Sequence, residues 1–426
     1  MDRQILHIAL PAIVSNITVP LLGLVDLAIV GHLGATAYIG AISVGGMIFN
    51  VMYWIFAFLR MGSSGLTAQA FGRGDRKATA QMMMRSLVIA VSVAAVILLF
   101  QYPLRQLALL IMSPSEEVWE LVKVYYNICV WGAPASLGLF ALSGWFIGMQ
   151  DSRSPMFVAI LQNITNILAS LFFVYGLKMK VEGVALGTLI AQWAGFLIAL
   201  LIYFFRYAEQ RRLMEWGGLM NHDDMVRFFS VNRDIFLRTC CLVAVFLFFT
   251  SAGAWQSDVV LATNTILMQF YLLFSYIMDG FAYAGEALGG KFYGAGDREN
   301  FQAVVKRLFR WGIGMAVAFS VVYVLGSGLI TSLLTDDQSV VEASADYRLW
   351  TWVMPFAGFA AFVWDGIFIG VTASRQMLIS SSIATASFFT VYYSLFPSMH
   401  NHALWLAFIV FLLARGISQT FLYRKL

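Results

Sequence analysis

The sequence predicts an all-α integral membrane protein, with twelve transmembrane helices in two pseudo-symmetric six-helix lobes around a central cleft. Three observations carry this reading. Of 426 residues, 60% are hydrophobic without counting Gly and only 12% are charged, against roughly 45–50% with Gly included and about 25% in ordinary soluble domains. The apolar runs are continuous and do not alternate, which excludes a transmembrane β-barrel. Two motifs recur at one fixed spacing, so the second half reads as a copy of the first. A span needs about 20 apolar residues. The chain therefore holds about twelve spans and leaves no room for a soluble catalytic domain, and no enzymatic activity is expected. A net charge of +4 is too dilute for a nucleic-acid-binding face.

Apolar runs between polar breaks place the spans at 5–31, 38–61, 83–104, 119–149, 156–176, 183–206, 234–254, 259–288, 306–333, 344–371, 377–397 and 403–423. The start, MDRQILHIALPAIV, carries no small-residue cleavage site and is read as the first span. The longest polar break, 207–232, contains Glu209, Arg211, Arg212, Glu215, Asp223, Asp224 and Arg227. It divides the chain into an N-terminal lobe (1–206), a linker (207–232) and a C-terminal lobe (233–426). Cys129, Cys240 and Cys241 all lie in apolar runs and suggest no disulfide framework.

Orientation follows from Lys and Arg in the short loops. One side carries Arg73, Arg76, Lys77, Arg85, Arg153, Arg211, Arg212, Arg227, Lys291, Arg298, Lys306, Arg307 and Arg375, together with Arg3, Arg424 and Lys425 at the termini. The other carries Arg105, Lys123, Lys178, Lys180 and Arg348, and also the acids Glu116, Glu117, Asp336, Asp337 and Glu342. Both termini and the linker are therefore expected in the cytoplasm.

FGRGDR (71–76) reads against YGAGDR (293–298), and GWFIGMQDSR (144–153) against GIFIGVTASR (366–375), each pair 222 residues apart. Six spans begin and end on the same side, so the repeat is parallel, about an axis along the membrane normal. Two such bundles facing a cleft suit alternating access. In the GxGD loops, glycine makes the tight turn and Asp caps the next helix.

An ionisable residue inside a span is costly and a functional candidate by default. Asp26, in PLLGLVDLAIVG, is the clearest, with no basic partner on its own helix. Counting depth along the spans puts Tyr125, Tyr126, Asn127, Gln162, Asn163, Thr165, Asn166, Ser170 and Thr188 at about its level. Asn166 and Ser170 are four apart and share a helix face. A carboxylate among amides and hydroxyls can hold a proton or an oxygen-coordinated cation. Pro11 and Pro20 on the same span each remove a backbone hydrogen bond and permit either a static bend or a hinge. The second half carries Asp279, Glu286, Asp365 and Arg238. Arg238 and Glu286 lie at similar depth and are expected to pair, Asp279 and Asp365 to face a water-filled cavity, and Arg60 and Arg415 to snorkel or stand by a gate. No cofactor or metal ligand set stands out.

The run LPAIVSNITVPLLGLVDLAIVGHLG, the segment FLRMGSSGLTAQAFGRGD, WGAPAS (131–136) and YIMDGFAYAGEALGG resemble the multidrug and toxic compound extrusion (MATE) family, most closely its DinF branch. The resemblance covers essentially the whole chain. It implies a twelve-helix exporter of drugs or other toxic organic compounds, driven by inward ion flow and housed as a monomer in a bacterial inner membrane. In that family's pattern Asp26 is the proton- or cation-binding group, Pro11 the point where span 1 bends, and Asn166 and Thr188 the span-5 and span-6 partners. Ser170 stands where many members have a second acid, and span 7 lacks an interior acid, offering only Arg238 and Thr250. Both departures favour protons over sodium, which wants more negative oxygen ligands. Sodium-coupled antiport, and a flippase for lipids or lipid-linked oligosaccharides in the same superfamily, are the alternatives.

Overall fold

The computed structural model describes residues 1–31, 36–112, 115–214, 221–335 and 337–424, except the side chains at 19, 21, 22, 24, 27, 30, 31 and 36. Glu215 of the linker, and Asp336 and Lys425 used for orientation, lie outside these. Among the described residues the chain is all-helical, and eleven helices are long and apolar enough to cross a membrane. To these the 30-residue α1 (Asp2–Gly31) is added.

The first half continues with α2 (Thr36–Ile55), α3 (Phe58–Gly72), α4 (Arg76–Leu99), α5 (Gln101–Met112), α6 (Glu116–Cys129), α7 (Ala133–Gly148), α8 (Arg153–Leu171) and α9 (Val181–Arg206), followed by the short α10 (Ala208–Arg212). The second half has α11 (His222–Ala254), α12 (Asp258–Ala284), α13 (Gly290–Gly294), α14 (Arg298–Leu334), α15 (Gln338–Gly370), α16 (Ser374–Met399) and α17 (Asn401–Tyr423).

Three boundaries differ from expectation. α2 and α3 together carry the second span on to Gly72. α5 is a separate helix with Leu107, Leu110 and Ile111 exposed. The linker is shorter than 207–232, because α11 already starts at His222. Its acidic first turn, Asp223 and Asp224, complements the helix dipole, and Asp224 reaches the buried Arg85 at 3.0 Å.

The helices pack as two compact units: Val14–Val226, and Met1–Ile13 with Arg227–Leu426. The opening turns of α1 thus group with the second half and not with the lobe 1–206. Asp2 accepts hydrogen bonds from Arg307 (2.9 Å) and Trp311 (3.2 Å). Gly280 of α12 lies so close that a Cβ there would meet the Ala9 carbonyl at 2.9 Å. From residue 14 onward α1 belongs to the other unit, where Asn163 Nδ2 donates to the Thr18 carbonyl at 3.1 Å.

The internal repeat is visible in the backbone. Gly74 and Gly296 both have φ +71°, a left-handed turn that glycine adopts freely. Asp75 accepts from the Ala78 N–H and Asp297 from the Asn300 N–H, so each caps the helix that follows. The Asn300 side chain also donates to Asp297 (2.7 Å), and these bonds hold the Asp297 carboxyl below the usual carboxylate range. Gln150 (φ 67°) and Thr372 (φ 55°) occupy matching turns. A Cβ on Gly144 would meet the Arg60 carbonyl at 2.2 Å, and one on Gly366 the Ala282 carbonyl at 2.2 Å. All four pairs of positions are 222 residues apart. The same small-residue contact therefore brings α7 onto α3 and α15 onto α12. In the first unit the core beside this contact is built on Trp145, packed with Met83, Leu142, Phe146, Val158, Ala199 and Tyr203. Its indole donates to the Thr79 carbonyl at 2.8 Å.

Candidate proton site and a buried charge cluster

Asp26 lies on α1 and is buried, 7% exposed. The α8 side chains Asn166 and Ser170, four residues apart and both fully buried, lie against its carboxyl. Asn166 Nδ2 donates to Thr188 Oγ1 on α9 at 3.2 Å. α9 approaches α8 this closely because residue 187 is glycine: a Cβ there would meet Ser170 Oγ at 2.2 Å. Tyr125 on α6 completes the pocket, beside Thr188 and Cys129 and within electrostatic reach of Asp26. Its ring occupies space that Gly45 of α2 leaves open, since a Cβ there would meet it at 2.4 Å.

The hydrogen-bond account of this pocket is incomplete in one specific way. Among the described residues, Asp26 Oδ1 and Asn166 Oδ1 are buried acceptors without a partner, and the Ser170 hydroxyl is also unpartnered. Buried polar atoms are normally satisfied. A proton on Asp26 turns an acceptor into a donor, and either unpartnered oxygen beside it can take that bond.

The other residues expected at the site are placed differently. Asn163 is engaged with the α1 backbone at Thr18. Tyr126 stacks on Phe49 at 5.2 Å, and among the described residues its buried hydroxyl has no partner. Pro11 and Pro20 both lie within α1, which is helical throughout. Pro11 stands two residues before the point where α1 passes from one unit to the other. Of the two tyrosines expected at this level, Tyr125 belongs to the pocket and Tyr126 does not. Helical period was the available signal, because Tyr125 and Cys129 are four apart and share a face.

In the second unit the expected pairing of Arg238 with Glu286 is replaced. Arg238 of α11 donates to Asp365 of α15, as does Arg415 of α17. Gln419, one turn beyond Arg415, donates to the other Asp365 oxygen at 2.6 Å. All four side chains are buried. Asp365 is thus enclosed by two guanidiniums and an amide and does not face a water-filled cavity, and Arg415 is not snorkelling. Depth along a helix says how far in a charge lies, not which way it faces, and α15 turns Asp365 toward both arginines. Asp279 is within electrostatic reach of Arg238, and Ser275 donates to it at 3.5 Å. Glu286 is buried in a π-helical turn (Gly285–Gly289), where its carbonyl lies against Gly370. Arg415 and Gln419 are polar residues four apart in an apolar helix, a spacing legible in the sequence.

Residues 11–172 and 235–393 match the family described as MatE. The chain is 38% identical over its full length, and over 92% of the relative, to DNA damage-inducible protein F of Escherichia coli (strain K12). It is 24% identical to a probable multidrug resistance protein NorM of Thermotoga maritima, over 80% of this chain and 74% of that one. A crystal structure described as MATE in the bent conformation superposes with a TM-score of 0.89 at 17% identity, covering 100% of this chain and 95% of that one. At that identity it speaks to the fold alone.

Proposed function

This chain belongs to the MatE family, and from that premise we propose that it is a secondary active exporter. In this reading it expels bulky, often cationic or amphipathic organic compounds by alternating access, in exchange for protons that bind Asp26. The observation that carries the proton reading is the set of unpartnered groups around Asp26, to one of which a proton on Asp26 supplies the missing donor. A sodium ion wants several negative oxygen ligands, and Ser170 supplies a hydroxyl where a second carboxylate would serve it better. The substrate class rests on similarity to a relative named as a multidrug resistance protein. The protein acts as a monomer in the inner membrane of a bacterium, with both termini in the cytoplasm.

Purified protein in liposomes, given a pH gradient at clamped sodium, is expected to move a cationic dye. A sodium gradient at clamped pH is expected to move almost none. Dye movement driven by sodium alone would replace the proton with sodium as the coupling ion.

In this mechanism protonation of Asp26 lets its carboxyl donate to Asn166 or Ser170 and shifts the part of α1 that carries it. Pro11 supplies the weak point at which such a shift becomes a bend. Pro11→Ala is expected to reduce transport more than Pro20→Ala, measured as initial rates at equal protein per vesicle. Equal rates in the two variants would take the hinge out of the mechanism and leave Asp26 acting by competition with substrate.

A further inference from the structure

We propose that the cavity between the GxGD turn of the second unit and the end of α17 binds one phosphate-bearing anion. The cavity has a volume of about 480 Å³. Arg298 and Arg424 line it, with Asp297, Tyr293, Phe301 and Tyr423. The internal repeat supplies the comparison. In the first unit the turn at 74–76 ends on Arg76, which donates to Glu209 of α10 at 2.7 Å. In the second unit the turn at 296–298 repeats the same glycine φ and the same Asp cap. There no carboxylate takes the place of Glu209: among the described residues Arg298 and Arg424 enter no ion pair. The motif is thus complete in one unit and lacks its anion in the other, where a second guanidinium faces the same space.

Charge and position select the occupant. Asp297 is the one acid on the lining, and its two oxygens already accept from the Asn300 N–H (3.0 Å) and the Asn300 side-chain amide (2.7 Å). Two arginines against this one Asp leave the lining with a net charge of +1. Each guanidinium offers a planar fork of N–H donors, which pairs with two oxygens of a phosphate. Arg298 is the first residue of the span Arg298–Leu334, and Arg424 directly follows the span Asn401–Tyr423. Both line one cavity, so both stand at the same membrane surface, at the level of lipid headgroups. The Arg424 guanidinium lies over the Phe421 ring at 5.7 Å, and Phe421 is 61% exposed on a membrane helix, so this wall borders lipid. Phe301 contacts Tyr293 at 5.9 Å and Tyr423 at 6.3 Å, an aromatic wall suited to the glycerol and ester region. A phosphodiester headgroup of net charge −1, such as phosphatidylglycerol, matches this lining. A zwitterionic headgroup carries its own cation and gains less. Basic pockets between membrane helices bind anionic headgroups in this manner.

Delipidated full-length protein in detergent, given equimolar phosphatidylglycerol and phosphatidylcholine, tests this by native mass spectrometry. The first bound lipid is expected to be phosphatidylglycerol, with the preference falling about fivefold for each of Arg298→Gln and Arg424→Gln. Arg73→Gln with Arg76→Gln removes the same amount of charge from the matching loop of the first unit and should leave the preference as it was. Gln302→Trp, which fills the cavity and keeps both arginines, should remove it. Thermal melting identifies which variants are folded, and only those are compared. Inorganic phosphate in large excess should not displace the lipid. If it does, the same two arginines hold a free phosphate, and the site stands with a soluble ligand. Equal retention of the two lipids by the parent would overturn the proposal. So would a preference that survives the double substitution of Arg298 and Arg424, or one lost equally in the Arg73 and Arg76 variant, which would mark surface charge in general.

Discussion

Asp26→Asn is expected to bring export driven by a pH gradient down to the background of protein-free liposomes, while the protein expresses, inserts and melts much as the parent does. The carboxyl lies buried against Asn166 and Ser170, with Thr188 and Tyr125 completing the wall. An amide has nearly the same size and still offers one acceptor and two donors. It fills the pocket and supplies a donor for the unpartnered Asn166 oxygen. What it cannot do is gain and lose a proton. Its cost to stability is small for the same reason that its cost to transport is large: replacing a buried titrating group by a neutral isostere removes a desolvation burden together with the exchange that couples ion to substrate. Transport should be read with a dye in liposomes and folding by thermal melting in detergent. A well-folded Asp26→Asn protein that still exports near the parent rate would remove Asp26 from the coupling step.

Asp365→Ala is expected to be the more damaging change to the fold, costing about 3–5 kcal/mol, the usual penalty for stripping the partner from a buried ion pair. Asp365 is the shared acceptor for Arg238 of α11 and for Arg415 and Gln419 of α17. Without it two buried guanidiniums confront each other with no carboxylate between them. Asp365→Asn should fall between, because it keeps an acceptor but not the charge. Replacing Arg238 by Met together with Asp365→Ala should recover part of the loss, since one buried cation then goes as well. Thermal melting of the three variants in one detergent measures the series. A parent-like melting temperature for Asp365→Ala would mean that Asp279, already within electrostatic reach of Arg238, serves as the counter-charge instead.

Much of the molecule was legible residue by residue because the relevant physics is local. A run of about 20 apolar residues makes a span wherever it occurs, and each expected span falls on an observed helix, with ends that differ by up to about a dozen residues. Gly74 and Asp75, like Gly296 and Asp297, make a turn and a cap from their own side chains and backbone, so the GxGD loops could be read correctly without a fold. The repeat was legible for the same reason, and Gly144 and Gly366 then prove to make the same backbone contact in each half. The shortened linker was missed because Asp223, Asp224 and Arg227 look like a solvated loop, while in the structure they form the charged first turns of α11.

What the sequence alone determined was which stretches are long and apolar enough to span a membrane and how far along its helix each charge lies, a count of residues at about 1.5 Å each. What only the tertiary structure decided was direction. Each residue turns the side chain by about 100° around its helix, and which neighbour it then meets depends on how the helices pack. That packing gave Arg238 to Asp365 in place of Glu286, drew Arg415 and Gln419 into the same cluster, set Tyr125 beside Asp26, and divided α1 at residues 13 and 14 between two units. A close approach such as Gly187 on Ser170 comes from the absence of a side chain on one helix opposite a particular residue of another, and no stretch of either helix read by itself contains that information.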